Sequence, residues 1–581
     1  MPMNQPVRLA QPFASRTRAR DLLNVDQQAP SPPPISALDY LGVAFGLLLS
    51  MAVSYLLGRG RIFWEDEMLG WMLVTDPSWH HMVQAWKLGA DGGGFTFYAT
   101  CRVWLDVFGR SEVAYRMYSA VCFGLAFALN WATARRFYGR WVTAFALFNT
   151  YFCSRSIVLH LAEGRFYGLL MLGVACMVWL AIRVQEFPGR LPARYALLVF
   201  AAHALTVTTH LLGIVYSAAL LAAMVLLDRL AGRWRPWLYG SAVCGWLLLI
   251  PERTAILASA AVGKPWFWTT QPPLGRFLGA FSAFGVEIAL VLALLTALVG
   301  LSLWRRRSTW QSVVEAAFQR RKPIWVATLA LLLVPFAILI EGWVGTPLYI
   351  DRYLLPVAMA TAFLTAELLT LVDWDRFVPT VFARPGIGRT SLLCAVGFLP
   401  AAVLFVELRH PSGSMMAQPD YTSQLSAILP HDVPVLLEDA WTFTEVIGRQ
   451  HDSGVEYLYP LDWKQSTSSF APRLEVTQYN LMNNWRKAGY FPGSVIDLAA
   501  FLRKTATFLV VDDSYVSPPP GVPLLGDPLV ARFRQTPGYH VTRYAALSRG
   551  GIILTAWQVT HQPEKTGLPL GQSPRYARAD R

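Results

Sequence analysis

Charge is scarce in this chain of 581 residues: Asp, Glu, Lys and Arg together make up 15% of it, against about 25% in a soluble globular protein. That shortage excludes an intrinsically disordered chain and a wholly soluble enzyme. Cysteine is scarce as well. Its six copies, Cys101, Cys122, Cys153, Cys176, Cys244 and Cys394, form no CxxC pair, so neither a disulfide framework nor a thiolate metal site is indicated. Acidic residues are fewer than basic ones, 37 against 50, for a net charge of +13. What stands in place of charge is apolar. Hydrophobic residues are 54% of the chain, with 22 Trp and 32 Phe, and the mean hydropathy is +0.36.

A membrane-spanning helix needs about 20 mostly apolar residues. Candidates are Leu41–Leu57, Val113–Thr133, Trp141–Ser154, Phe166–Ile182, Tyr195–Leu227 (two spans turning near Thr209–His210), Pro236–Pro251, Ile288–Trp304, Pro323–Ile340, Tyr353–Ala366 and Thr390–Val406. This predicts a mainly α, polytopic membrane protein with about 11 transmembrane helices. Phe95–Phe108 carries Arg102 and Asp106 and is short, so it is expected to lie in the interface as an amphipathic helix, as is Trp79–Leu88.

Residues 1–36 hold Arg8, Arg16, Arg18, Arg20 and a proline run but no apolar core, and read as a disordered basic tail. Arginine clusters at Arg135/Arg136/Arg140, Arg183/Arg190/Arg194, Arg229/Arg233/Arg235, Arg305–Arg307 with Arg320/Arg321/Lys322, and Arg376/Arg384/Arg389 all fall on one side in a single topology. Basic residues accumulate in cytoplasmic loops. The N-terminus is then cytoplasmic, and loops 59–112, 155–165, 252–280 and 342–352 are outside. The net charge is thus spent on orientation, and nucleic acid is not implied. The chain divides into 1–36, a membrane module 37–408, an extracytoplasmic soluble α/β domain 409–561, and a polar tail 562–581. In the soluble domain Val433–Leu437, Val455–Leu458 and Thr507–Val511 have buried-strand patterns, and Ser494–Lys504 reads as helix.

Three outer loops carry both signs of charge at the same depth. The first opens with Trp64-Glu65-Asp66-Glu67, the second holds His160-Leu161-Ala162-Glu163-Gly164-Arg165-Phe166-Tyr167, and the third holds Asp351-Arg352-Tyr353. Singly, each is what an ordinary helix start or interface anchor looks like. Together they suggest an acidic-and-basic pocket at the outer interface. His80-His81 is a poor metal pair, because neighbours on a helix point roughly 100° apart. His203 and His210 read as core or interface histidines, with one of them facing the cavity as the alternative, and Trp266/Trp268 as an aromatic belt, with a surface for lipid or sugar as the alternative.

In this set the sequence resembles the polyprenyl-phosphate-sugar glycosyltransferases of GT-C type, a group that includes protein O-mannosyltransferases and lipid A aminoarabinose transferases. Trp64-Glu65-Asp66-Glu67 matches their W-x-D-E signature, and Glu163-Gly164-Arg165-Phe166-Tyr167 resembles E-A-R-x-Y. Val107–Glu112 with Tyr115-Arg116-Met117, Arg135–Arg140 and Arg352-Tyr353-Leu354-Leu355-Pro356 resemble further elements in the same order. Two departures stand out: Asp91-Gly92-Gly93-Gly94 lacks the family's prolines, and Gly164 replaces an alanine. The resemblance implies a sugar moved, with inversion, from a polyprenyl monophosphate donor to a hydroxyl on a lipid, glycan or protein acceptor at the outer face of the inner membrane. It implies Asp66 as general base, with Glu67 or Glu65 as runner-up. Glu163, Arg165, Tyr167, Lys264, Arg352 and Tyr353 are the implied donor-binding set. No cofactor is demanded, and a divalent metal is left open. The competing classes are a secondary transporter, which would show internal repeats, and a non-catalytic envelope assembly protein.

Overall fold

The computed structural model describes residues 35–59, 61–189, 191–260, 269, 271–273, 275, 285–306, 310–345, 347, 349–372, 401–402, 405, 420–450, 452–468, 472–515, 528–549 and 552–562. Lys264, Trp266, Trp268, the span candidate Thr390–Val406 apart from three residues, the boundary at 408/409 and nearly all of both tails lie outside these.

The chain opens with α1 (Ala37–Gly58), then α2 (Glu65–Thr75), α3 (Trp79–Lys87), α4 (Phe95–Phe108), α5 (Glu112–Ala134), α6 (Arg140–Cys153) and α7 (Arg155–Leu161). It continues with α8 (Tyr167–Arg183), α9 (Arg194–Thr209), α10 (Gly213–Leu230), α11 (Pro236–Trp246), α12 (Arg253–Ala260), α13 (Gly285–Arg306) and α14 (Trp310–Val344). A 3-10 turn, Asp351–Val357, leads into α15 (Ala358–Leu371).

Seven helical segments are long and apolar enough to cross a membrane, or nine if two bent pairs each count as one span, among the described residues. This is short of the 11 expected. α9 is too short to qualify alone. The expected loop 155–165 is in large part helical, because α7 continues α6 after a 68° bend at Ser154. On α1, Leu41, Phe45 and Leu48 are exposed. Such an outward apolar face is stable against lipid and costly in water. The N-terminal end of α1 is fixed by Asp39, whose Oδ1 accepts from Arg135 Nε at 2.7 Å. α3 and α4 are helical where interfacial helices were expected, and α4 leaves Val103, Val107 and Phe108 exposed.

The soluble part contains α16 (Thr422–Ile428), β1 (Val435–Leu437), α17 (Ala440–Gln450), β2 (Tyr457–Leu461), α18 (Trp463–Ser468) and α19 (Pro472–Lys487). Then come β3 (Val495–Asp497), α20 (Leu498–Leu502), β4 (Thr507–Tyr515), α21 (Pro528–Gln535), β5 (Tyr539–Arg549) and β6 (Ile552–His561). Its sheet runs β3-β2-β1-β4-β6-β5. The first four strands are parallel, and β6 and β5 join antiparallel. Side chains alternate across a strand, so Val435 and Leu437 pack with Phe443 and Met482 on one face, while Leu436 packs with Leu498 and Phe533 on the other. Ser494–Lys504, expected as helix, begins instead as strand β3, because Val495 and Ile496 pair with β2.

The sheet region packs on α2, α3 and the start of α5. Gly448 of α17 meets the Met68 side chain of α2 so closely that an added Cβ would stand 3.1 Å from its sulfur. Arg449 Nη2 lies 2.5 Å from Glu112 Oε1 at the start of α5. His81 Nδ1 is 2.5 Å from Asp76 Oδ2, and its Nε2 is 2.6 Å from the Ala488 carbonyl. Tyr490 stacks on the His81 ring at 4.7 Å and donates to the same Asp76 oxygen.

Candidate functional site

Asp66 and Glu67, neighbours in the first turn of α2, have no equivalence in space. Glu67 is wholly buried. Arg116 forks onto it, Nε to Oε1 at 2.9 Å and Nη2 to Oε2 at 3.0 Å. The Gly164 N–H donates to Oε1 at 2.8 Å, and Arg61 Nη2 and the Trp64 N–H reach Oε2 at 3.4 Å. Burial works to raise its pKa, but Arg116, then Arg61 and Gly164, outweigh it and hold the carboxyl below the usual glutamate range. With every oxygen engaged, Glu67 ties α2, α5 and the loop after α7 together.

Asp66 lies one residue away with 19% of its side chain exposed. Its Oδ2 stands 3.1 Å from Arg352 Nη2 and 3.7 Å from Arg165 Nη2. Arg165 is buried and already committed, because its Nη1 donates to Asp91 Oδ2 at 2.7 Å and to the Asp66 carbonyl at 2.6 Å. Arg352 is more open and lies over the Trp64 ring at 5.2 Å. Tyr353 follows it, and its carbonyl accepts from Tyr216 at 2.7 Å. Tyr167 is buried, and its hydroxyl has no hydrogen-bond partner among the described residues.

Glu163 is buried with neither oxygen hydrogen-bonded among the described residues. Burial, with the Glu67 charge beside it, pushes its pKa up to about 8 against the pull of Arg61 and Arg352. It is therefore a neutral acid at pH 7. An unpaired carboxylate in such a place would be far costlier than the acid.

Both departures from the family pattern have a steric cause. Gly94 sits against the end of α9, where its N–H donates to the Thr209 carbonyl at 3.0 Å. A Cβ there would stand 2.0 Å from the Thr208 oxygen. At Gly164 a Cβ would stand 2.2 Å from the Tyr115 ring.

The structure thus gathers Asp66, Glu67, Glu163, Arg165, Tyr167, Arg352 and Tyr353 into one cluster. Lys264 is outside the described residues. Sequence reasoning passed over Arg61, Asp91 and the pairing role of Arg116. An arginine in the first turn of an apolar span is a signal of a buried partner, and Arg116 carried it. Among the described residues no group of three or more His, Cys, Asp and Glu side chains is placed to hold a metal. Both ring nitrogens of His81 are taken by protein oxygens.

No protein-family model matches the chain, and no curated protein matches it. Solved structures do. ArnT from Cupriavidus metallidurans in its apo state aligns at a TM-score of 0.55 and 13% identity, over 90% of this chain and 98% of that one. The same protein bound to undecaprenyl phosphate aligns at 0.52, again at 13% identity and over 90% and 98% of the two chains. AglB from Archaeoglobus fulgidus, in complex with an inhibitory peptide and a dolichol-phosphate, gives 0.40 at 11% identity over 82% and 70%. The ArnT alignments show a shared fold, the GT-C membrane fold with a smaller sheet region after it.

Proposed function

We propose that this chain is a glycosyltransferase that moves a sugar from a polyprenyl monophosphate donor to a hydroxyl acceptor at the outer face of the membrane, inverting the anomeric centre. The observation that carries this is Asp66: a partly open carboxylate bracketed by two guanidinium groups, beside carboxyls that are sealed or paired. Charge supports it. Arg61, Arg116, Arg165 and Arg352 face Asp66, Glu67, Asp91 and a neutral Glu163. The phosphodiester of a lipid-linked sugar carries one negative charge, which a cluster so rich in guanidinium groups is suited to receive. Buried charges are stable only when balanced.

Arg352, the more open of the two bracketing arginines, takes the phosphate through charge-assisted hydrogen bonds. That draws it off Asp66, which then accepts the proton of the attacking hydroxyl. The new bond forms at the anomeric carbon as the bond to the phosphate oxygen breaks, and the phosphate leaves with the electron pair. Arg165, held by Asp91, fixes the Asp66 backbone, and the Tyr167 hydroxyl faces the donor. Undecaprenyl phosphate in the ArnT structure supports a polyprenyl phosphate as the lipid. The arginine clusters support a cytoplasmic N-terminus and an extracytoplasmic soluble domain.

Asp66→Asn tests the assignment. Transfer from a polyprenyl-phosphate sugar should fall by roughly 10²–10⁴-fold while the donor still binds. A strain lacking the protein should accumulate that donor lipid. A wild-type rate in the variant refutes Asp66 as the base, and no donor binding by the wild type refutes the enzyme class.

A further inference from the structure

His210 caps α9 and is fixed on every side but one. The Gly94 N–H holds the Thr209 carbonyl just before it, and Thr96 Oγ1 meets Thr208 Oγ1 at 2.6 Å. The imidazole stacks on Phe166 at 4.4 Å with the planes 19° apart, and lies 4.7 Å from the Tyr353 ring. Phe166 follows Arg165 and Tyr353 follows Arg352. The ring therefore packs against the two residues that directly follow the arginines beside Asp66.

Its protonation follows from geometry. Nδ1 accepts the Leu212 N–H at 3.2 Å. An imidazole nitrogen that accepts carries no proton, so the neutral ring keeps its hydrogen on Nε2. Burial, then Arg165 and Arg352, push the pKa down to about 3, which keeps the ring neutral. The residue is 6% exposed, and its Nε2–H has no hydrogen-bond partner among the described residues. With Nδ1 engaged and the ring packed against Phe166 and Tyr353, the Nε2 edge is the part of the imidazole left open to a ligand atom. A third cation here would repel Arg165 and Arg352. A neutral N–H gives an anion one more directed bond and no further charge.

We infer that His210 contacts the phosphoryl group of the lipid donor, its Nε2–H donating to a non-bridging phosphate oxygen between Arg352 and the Tyr167 hydroxyl. This rests on the sugar-transfer reading above and adds to it a phosphate ligand from the α9–α10 turn, a segment outside every motif that carried the resemblance.

The test measures the Kd of a polyprenyl monophosphate without sugar, with the full-length protein in detergent. His210→Phe keeps the aromatic stack and removes the N–H. His210→Gln places an amide N–H close to where Nε2–H was. Phe should weaken binding roughly ten- to hundredfold, the range for a hydrogen bond to a charged group, with melting as in the wild type, and Gln should restore most of the loss. If Phe binds as tightly as the wild type, the contact is to the sugar or to nothing, and the inference falls. It falls equally if Phe and Gln are equally weak and both melt early, which marks a scaffold role. If the wild type binds no polyprenyl phosphate at all, the sugar-transfer reading fails first, and that outcome is distinct from the other two.

Discussion

Replacing Glu163 with Gln should make this protein more stable at alkaline pH. The carboxyl has a pKa of about 8 in the folded chain against an ordinary 4.5. At 1.36 kcal/mol per pH unit, that difference amounts to roughly 4–5 kcal/mol. The sign follows from proton counting. Between pH 4.5 and 8 the folded state keeps the proton that the unfolded chain has lost. Stability therefore falls as pH rises through that window and levels off above it. Below pH 4.5 the group contributes no difference. Glutamine keeps the shape and cannot ionise, so this decline disappears in Glu163→Gln. The two proteins should melt alike near pH 4.5 and diverge by several degrees at pH 9, with the variant higher. Infrared titration reads the group directly: a protonated carboxylic-acid carbonyl band, absent from the variant, should fade with a midpoint near 8. A variant that melts no higher than the wild type at pH 9, or a spectrum at pH 6 without that band, would refute the neutral-acid assignment.

Two further outcomes follow from contacts that border the site. Burial lowers the pKa of His81, but the Ala488 carbonyl and Asp76 outweigh it and raise it overall. The stability this contact gives is full below pH 6.5 and is lost as pH climbs through the higher folded value. Hydrogen-exchange protection at residues 485–491, taken relative to the intrinsic base-catalysed rate at each pH, should then fall between pH 6 and 9 in the wild type and be low at both in His81→Phe; equal protection throughout would show that the contact does not hold the soluble part. Gly94→Ala forces a Cβ into the Thr208 carbonyl, so it should cost about 1–3 kcal/mol or more, seen as a lower melting temperature. Melting at the wild-type temperature would mean that α4 can shift away without penalty.

The membrane module was legible where length alone decides. Uncharged runs such as Phe166–Ile182 correspond to α8, because length and composition alone mark a span. The bend at Ser154 was not, because an apolar run reads the same straight or broken. The β5–β6 hairpin escaped notice for a related reason. His540, Arg543 and Tyr544 give β5 a polar surface that masks its strand pattern, and its pairing with β6 is a tertiary fact. At the site, residue types were enough to gather Asp66, Arg165 and Arg352 into one pocket. They were not enough to tell Asp66 from Glu67. Both are carboxylates at the start of one helix, and what separates them is the arrival of Arg116 and Arg61 from other parts of the chain. Glu163 likewise looks like any interface acid until its surroundings prove to hold no donor for it among the described residues.

The seating of α2 has a kinetic consequence. From one side Glu67 pins its first turn to α5 through Arg116. From the other, Gly448 of the soluble part presses on Met68, one residue further along. A helix gripped at two successive residues, whose side chains point about 100° apart, has little freedom to swing when substrate arrives. Asp66 is therefore preorganised, with its orientation set at folding rather than by induced fit. If the chain moves a lipid-linked sugar as proposed, the slow motion is then expected elsewhere, in the entry of a long lipid tail and its departure once the phosphate is bare.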